Sequence, residues 1–501
     1  MVGGKVSARQ PPLTPPYQGG ESFSCQVVIG RITEFALRMT GLNPRAYNRN
    51  PMRRRWIVLA LVFLGIVINY VDRGNLSVAA PSIMREFRIA PAVMGVLLSA
   101  FFWTYGVFQM PAGAIVDRFG IRRTYAAGFL VWSLASAAIA LSRAPADITG
   151  LRLLLGLAEA VAPLASISFI RNNFAAQDQG LPTSIYISGQ NIGPALGALV
   201  GAILLDRFGW RVMFAITGLG ALVWLPCWWI ATPSDRPRAA RGPVVGARRR
   251  LAPTGETQPG WSRGRPEDAS RESNSPPTVA EESGPSQPWR WGMFAGNRTF
   301  WAMSLSILLS SYYWYFVLTW VPSYLILSRG FSTLQMGRVV STALFTMAIV
   351  NVTAGWVVDK WAARIGVFPA RLRFAVAGYI GTGAILLLLV ARDRSWALPI
   401  LTLAMCATGI GNSNFWTISQ HVPPRNMVGR TIGFLNTISV AAGAAAPIIT
   451  GLILGPQKHF GPAILVAGLC PVLAAVCLLA AGSEGLERMK SLLQGEPAVE
   501  Q

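Results

Sequence analysis

Charge is scarce in this chain, and so are histidine and cysteine. Only 13% of its 501 residues are charged, about half the share of a soluble globular domain, which excludes an ordinary water-facing surface over most of its length. The two histidines, His421 and His459, fall at or beyond the ends of apolar runs, so no histidine proton relay is expected inside them. Five cysteines (Cys25, Cys227, Cys406, Cys470 and Cys477) are scattered without CxxC spacing, which indicates neither a disulfide framework nor a zinc site. The sequence has no GxxxxGK[ST] loop, which a pump carrying its own ATP motor would need. Two isolated histidines also disfavour an integral-membrane transferase, whose metal or acid/base cluster would stand near a membrane face. No enzyme activity, metal site or cofactor is therefore expected.

What the chain has in abundance is apolar length. Hydrophobic residues make up 52% of it. A helix of roughly 20 apolar residues crosses a bilayer. Runs of that order occur at 56–81, 92–116, 124–142, 147–170, 181–205 and 211–231, and again at 300–327, 333–358, 372–391, 396–419, 428–454 and 462–482. These predict an all-α membrane protein with twelve transmembrane helices arranged as two pseudo-symmetric six-helix bundles.

The formal charge of +22 invites a nucleic-acid interpretation, and its distribution rejects it. Most Lys and Arg lie in alternate segments: the N-terminal tail, 117–123, 232–298, 359–373 and the C-terminal tail. The intervening loops carry few basic residues. Positive loops stay in the cytoplasm, so both termini are expected inside, with membrane lipid rather than nucleic acid as the surrounding partner. Residues 1–55 read as a disordered N-terminal tail, with 1–51 as an extension or an upstream start. Residues 232–296, with ARRR at 247–250 and SNSPP at 273–277, are too poor in apolar surface to offset ordering entropy. They read as a disordered cytoplasmic linker between bundles at 56–231 and 297–482, with 483–501 as a C-terminal tail.

Asp72 and Arg73 interrupt the first run, WIVLALVFLGIVINYVDRGNLSVAAP. A charge at the centre of a membrane helix costs about 2.5–3.5 kcal/mol on insertion scales, and such charges usually face a cavity or a partner. Arg152 and Glu159 lie seven residues apart in the fourth run, on nearly the same helix face and about 10 Å apart along the axis. Gly156 between them leaves room for a neighbouring helix or a ligand. Adjacent residues point about 100° apart on a helix, so Asp72 and Arg73 have different jobs. Tyr70, Arg73 and Ser77 share one face, which would grip a carboxylate through the guanidinium fork. Asp72 would point to a neighbouring helix and pair with Arg152. Mutual neutralisation of all four charges is the structural alternative. In the fifth run, Gly189, Gly193, Gly197 and Gly201 form a close-packing ladder, with Gln190 beside it as a candidate for a sugar hydroxyl. Tyr105 and Gln109 are i, i+4 neighbours on the second run, suited to the cavity or to interhelical hydrogen bonds. The Tyr312–Phe316 aromatics would stack on a sugar ring or serve as packing.

The loop GAIVDRFGIRR (113–123) has a counterpart in GWVVDKWAAR (355–364). Each has Gly, then Asp four residues later, then a base, at equivalent places in the two halves. A repeat of this kind is one way in which secondary transporters are built. Gly113, Asp117, Arg118 and Arg122, with Gly355, Asp359, Lys360 and Arg364, are therefore read as a cytoplasmic gate. In it the glycines would permit close packing, and the charges would pair across the gap.

The first of these loops is similar to the signature of the major facilitator superfamily, and the second is its weaker half-repeat. NYVDRGNLSVAAP, RLLLGLAEA, SGQNIGPALG and YYWYFVLTWVPSYL resemble the anion:cation symporter family within it, on the side of the bacterial sugar-acid permeases of the galactonate type. The resemblance covers roughly 52–482. It implies proton-coupled import of a small organic anion by alternating access, with a functional monomer, no catalytic residue, Arg73 as substrate contact, and Asp72, Arg152 and Glu159 in proton coupling. It places further substrate contacts at Ser413, Trp416 and Asn436. Family members often carry Gln just before that asparagine, where this chain has Leu435. Uniport, exchange, or another aromatic or dicarboxylic acid are the near alternatives. A non-transporting sensor is remote, because all four membrane charges are present. The sequence leaves the acid and the coupling ion open.

Overall fold

A computed structural model of the protein describes residues 51–174, 178–232, 296–423 and 427–494. The described residues are almost entirely helical and contain no strand. Hydrocarbon offers no partner to backbone N–H and C=O groups, so a spanning segment must satisfy them within itself, as a helix does.

Before residue 232 the helices are α1 (Pro51–Glu86), α2 (Pro91–Phe119), α3 (Ile121–Ala138), α4 (Pro145–Glu159), α5 (Val161–Asn173), α6 (Gly180–Ala221) and α7 (Trp224–Ala231). After residue 297 they are α8 (Arg298–Leu327), α9 (Thr333–Ile365), α10 (Val367–Thr382), α11 (Ala397–His421), α12 (Val428–Leu454), α13 (Phe460–Ala481) and α14 (Ser483–Gln494).

Among the described residues, ten helical stretches are long and apolar enough to cross a membrane. Two features account for the difference from the twelve expected. The stretch Gly180–Ala231 counts once, yet the chain turns inside it at Gly209, where φ is 78°. That is a left-handed conformation that glycine adopts without a Cβ clash. The 25-residue helix α11 is absent from the ten. Its run GNSNFW places polar groups where the other helices carry aliphatic ones.

Both repeat loops turn in the same way. Gly120 (φ 86°) separates α2 from α3, and Gly366 (φ 92°) separates α9 from α10, each donating its N–H to a carbonyl four residues back. The repeat seen in sequence is thus a repeat in backbone geometry.

The buried apolar residues fall into three regions. One runs across both sets of helices, from Leu76–Met84 and Met94–Leu98 through Tyr313–Leu325 and Met336–Met347 to Phe460–Ala467. The other two are separate: one is built almost wholly from α1–α7, the other from α8–α14. The two sets therefore share a core at the end where α1 meets α2, and have separate cores at the end with the Asp-containing loops.

Glycines carry the shared end. A Cβ at Gly95 would come within 2.4 Å of the Pro447 carbonyl oxygen, and one at Gly451 within 2.5 Å of the Pro91 oxygen, so α2 and α12 touch backbone to backbone. Gly337 of α9 meets Ala198 and Ala202 of α6 in the same way. Ser77 of α1 donates to the Thr319 carbonyl of α8 at 2.8 Å. The ladder Gly189, Gly193 and Gly197 seats α6 on Phe63, Val67 and Val71 of α1, which is its packing role.

Several boundaries move. α1 begins at Pro51 rather than Trp56, so the first helix includes residues assigned to a tail. Residues 483–494 are not loose: they form α14, whose Leu486, Met489 and Leu493 are buried against α8 and α10. Most of the expected N-terminal tail, the 232–296 linker and the last residues of the chain lie outside the described residues.

Candidate functional site

The four membrane charges are brought together by packing between α1, α2 and α4. Gly156 lets α4 approach α2 so closely that a Cβ there would lie 2.1 Å from the Phe101 oxygen. Thr104 secures the crossing by donating to the Leu153 carbonyl at 2.7 Å. The space at Gly156 is therefore filled by a helix. The crossing aims Arg152 and Glu159 at α1, and both are buried.

Arg73 lies at the centre. Its Nε donates to Glu159 Oε2 at 2.8 Å. Its guanidinium carbon is 4.7 Å from the ring centre of Tyr70, 4.8 Å from Phe101 and 4.5 Å from Tyr105. Tyr105 is itself stacked on Phe101 at 5.1 Å. The rings hold the cation by their quadrupoles and fix the plane of its fork. The Arg73 side chain remains 15% exposed while that of Glu159 is fully buried. The arrangement is thus an oriented, partly open cation backed by a closed carboxylate.

Asp72 is directed elsewhere, as the 100° step requires. Its Oδ1 accepts from Ser136 of α3 at 3.2 Å and from Asn75 at 3.4 Å, and Asn75 also donates to Thr217 of α6 at 3.0 Å. The expected Asp72–Arg152 pair does not form: no ion pair within 4.0 Å joins them among the described residues. Arg152 lies instead with its guanidinium carbon 5.3 Å from the Phe101 ring centre. Helical spacing gives the direction of a side chain, while the neighbour it meets depends on helix crossings.

Asn436 of α12 donates to Gln109 of α2 at 3.3 Å. This hydrogen bond joins the two sets of helices. Tyr315 of α8 meets Phe102 of α2 edge-on at 4.7 Å, and Ser311 and Ser439 are 2.8 Å apart. Gln190 is half-buried on α6. Ser413 donates to its own helix at the Ile410 carbonyl, 3.2 Å away, and Trp416 is half-buried with Phe415 at its edge. These two do not approach Arg73 through any direct bond in this conformation. Leu435, standing where the family often has Gln, is buried in the core of the second set of helices. Among the Tyr312–Phe316 aromatics, Tyr312, Tyr313 and Phe316 are buried in the core shared by the two sets, and Tyr315 meets Phe102 of the other set edge-on. Phe101, Asn69, Asn75 and Ser136 were not anticipated. The i, i+3, i+6 polar stripe Asn69, Asp72, Asn75 was the signal available for two of them.

The repeat loops show no glycine-mediated closure. A Cβ on Gly355 would meet nothing within 4 Å, and one on Gly113 only Leu164 at 4.0 Å. Their expected close packing is absent because α2 and α9 find their partners at the opposite end, through Gly95 and Gly337. The charges instead make local contacts. Asp359 pairs with Arg371, whose Nη1 also donates to Asn414 at 3.2 Å. Lys360 sits 3.5 Å from the Trp356 ring centre, and Arg118 lies 5.4 Å from that of Phe119. Arg122 donates to the Trp229 carbonyl at 2.7 Å. Asp117 and Arg364 are exposed.

The model of the Major Facilitator Superfamily matches residues 62–447, well over half of the chain. The chain belongs to the Major Facilitator Superfamily. It is a multi-pass membrane transporter of this superfamily and not an enzyme. Among superfamily relatives it is similar to a hexuronate transporter of Bacillus subtilis (26% identical, covering 84% of this chain and 93% of the relative). It is also similar to a D-galactonate transporter of Escherichia coli O6:H1 (27% identical, 85% and 95%). A galactarate/D-glucarate transporter assigned as probable in Escherichia coli K12 is 25% identical over 85% of this chain and 94% of its own. The superfamily fold recurs in solved structures. A bacterial homologue of the human lysosomal transporter Spinster has a TM-score of 0.64 at 17% identity, covering 90% of this chain and all of that one. A D-xylose-proton symporter has a TM-score of 0.63 at 16% identity, covering 84% and 97%.

Proposed function

We propose that this transporter imports a small organic anion, a sugar acid such as an aldonate or hexuronate, by proton symport with alternating access. The observation that carries the reading is Arg73, held between three rings and Glu159 yet still partly open. A carboxylate entering beside it would meet a pre-oriented guanidinium, which binds such groups bidentately. Glu159 would then compete with the substrate for the same cation. Protonation of Glu159 would release Arg73 to the incoming anion, a means of coupling the two movements. The hydroxyl- and amide-bearing side chains Tyr70, Tyr105, Gln190, Ser413 and Asn436, with the indole of Trp416, would face a polyhydroxylated acid. Relatives named for hexuronate, galactonate and galactarate support that substrate class.

In this reading the chain consists of two six-helix bundles, 56–231 and 297–482, joined by the 232–296 segment. Both termini face the cytoplasm of a bacterial inner membrane, and the monomer is the working unit. The shared core and the Gly95, Gly337 and Gly451 contacts close the periplasmic side. The two repeat loops would close the opposite side when the bundles rock, pairing the charges of the gate.

Binding of a panel of aldonates, uronates, aldarates and aromatic acids to the purified protein, followed by ligand-induced thermal stabilisation, tests the substrate reading. Stabilisation by at least one sugar acid that is lost in Arg73→Ala is expected. Stabilisation only by neutral sugars or by cations would overturn it.

A further inference from the structure

Behind Arg73, between α1, α3 and α4, lies a polar cluster that meets the aromatic cage only at Glu159, the partner of Arg73, and at Arg152, beside Phe101. Asn69, Asp72 and Asn75 of α1, Ser133 and Ser136 of α3, and Arg152 and Glu159 of α4 are each at most 2% exposed. Asp72 Oδ1 is satisfied by Ser136 and Asn75. Its Oδ2 is not, nor are Asn75 Oδ1, Ser133 Oγ, or Nε and Nη1 of Arg152, and although Asn69 and Glu159 approach one another, neither polar atom of the Asn69 side chain nor Glu159 Oε1 makes a well-formed hydrogen bond. Folded proteins leave few buried polar atoms unpaired, and each costs about 1–3 kcal/mol if it stays so. So many in one cluster require a common partner.

The chemistry of the unpaired atoms selects that partner. Asp72 Oδ2, Asn75 Oδ1 and Glu159 Oε1 are acceptors, whereas Asn69 Nδ2 and the two Arg152 nitrogens are donors. A bare cation would serve only the oxygens and would sit against the Arg152 charge. An anion would serve only the nitrogens and would oppose two carboxylates. Water both donates and accepts, and a buried water is held by two to four such groups.

We propose that α1, α3 and α4 enclose a site for ordered water, reaching from Asp72 to Glu159 and Arg152 behind Arg73, and that this water carries the proton between the two carboxyl groups. The second clause rests on the proton-symport reading; the water site does not. Glu159, paired with Arg73, then joins the proton path to the substrate side. The charged groups facing Asp72 are Arg152 and Glu159 of α4, and α3 and α6 contribute the neutral Ser136 and Thr217. Tyr70 and Tyr105 lie on the Arg73 side, against the cage.

An experimental structure of the full chain that resolves water tests the site directly. Density hydrogen-bonded to Asp72 Oδ2 and to Asn69, Glu159 or Arg152 is expected; a dry cluster with its side chains paired to one another would overturn the site. Transport tests conduction, with Ser133→Ala and Asn75→Leu as independent variants and their thermal melting as the folding control. Uptake driven by an imposed pH gradient should fall by about tenfold or more while counterflow exchange at equal pH is retained. Equal loss in both modes, or no loss in either, would overturn conduction. If the wild type accumulates no carboxylate in response to pH, proton symport itself fails, and the water density still decides the site.

Discussion

Arg73 combines a planar contact with three rings and a hydrogen bond to a buried carboxylate. An ammonium group cannot reproduce that combination, because it lacks the flat fork that both stacks and pairs bidentately. Arg73→Lys is therefore expected to weaken sugar-acid binding nearly as much as Arg73→Ala. Hydrogen bonds to charged groups are worth about 1.5–3 kcal/mol, or roughly 10–150-fold in Kd. Titration calorimetry on the two variants checks this; a lysine variant that binds like the wild type would show that charge alone suffices. Glu159→Gln removes the titratable competitor while keeping its size. It should abolish pH-driven accumulation and preserve counterflow, measured side by side in vesicles. These residues were legible in sequence because charges inside an apolar run stand out. Phe101 was not legible: a phenylalanine among apolar neighbours has no mark until the α2–α4 crossing brings it over Arg73. The neighbour of Asp72 was misjudged for the same reason, since spacing along one helix says nothing about which helix faces it.

At the scale of elements, small residues decide where helices cross. Gly156 is the tightest case, with the Phe101 oxygen 2.1 Å from where a Cβ would lie. Gly156→Leu should push α4 off α2 and carry Glu159 away from Arg73. Overpacking costs typically about 1–3 kcal/mol, so a lower melting temperature in detergent and loss of substrate binding are both expected. A variant with unchanged melting would contradict the crossing. The glycine ladder on α6 was readable as a packing surface, and the structure places α1 on it. α14 was not read as an element, although Leu486, Met489 and Leu493 recur at helical spacing in SEGLERMKSLLQ. Charged neighbours and the preceding Gly482 made the segment look like a tail. Leu486→Ala should destabilise the protein, by about 2–5 kcal/mol if the site cannot collapse, and the same melting assay reads it.

For the whole molecule, the apolar core is continuous between the two sets of helices at one end and divided at the other. Sequence showed the repeat, the apolar runs and the charge asymmetry, which were enough for the helices and their order. It could not show which end is closed, because the same glycine repeats are compatible with either conformation. The contact of Gly337 with Ala198 and Ala202 depends on the closed end, so Gly337→Leu should disfavour this conformation. In a Met110→Cys variant freed of its native cysteines, position 110, exposed here, should then react more slowly with a thiol-directed probe as the repeat loops approach each other. Coupled transport is read out as uptake by the purified protein in proteoliposomes under an imposed pH gradient. With the outside acidic, at least one aldonate, uronate or aldarate should accumulate above its equilibrium level, and collapsing the gradient should release it. Failure to move any carboxylate, or movement only to equilibrium regardless of the gradient, would contradict it.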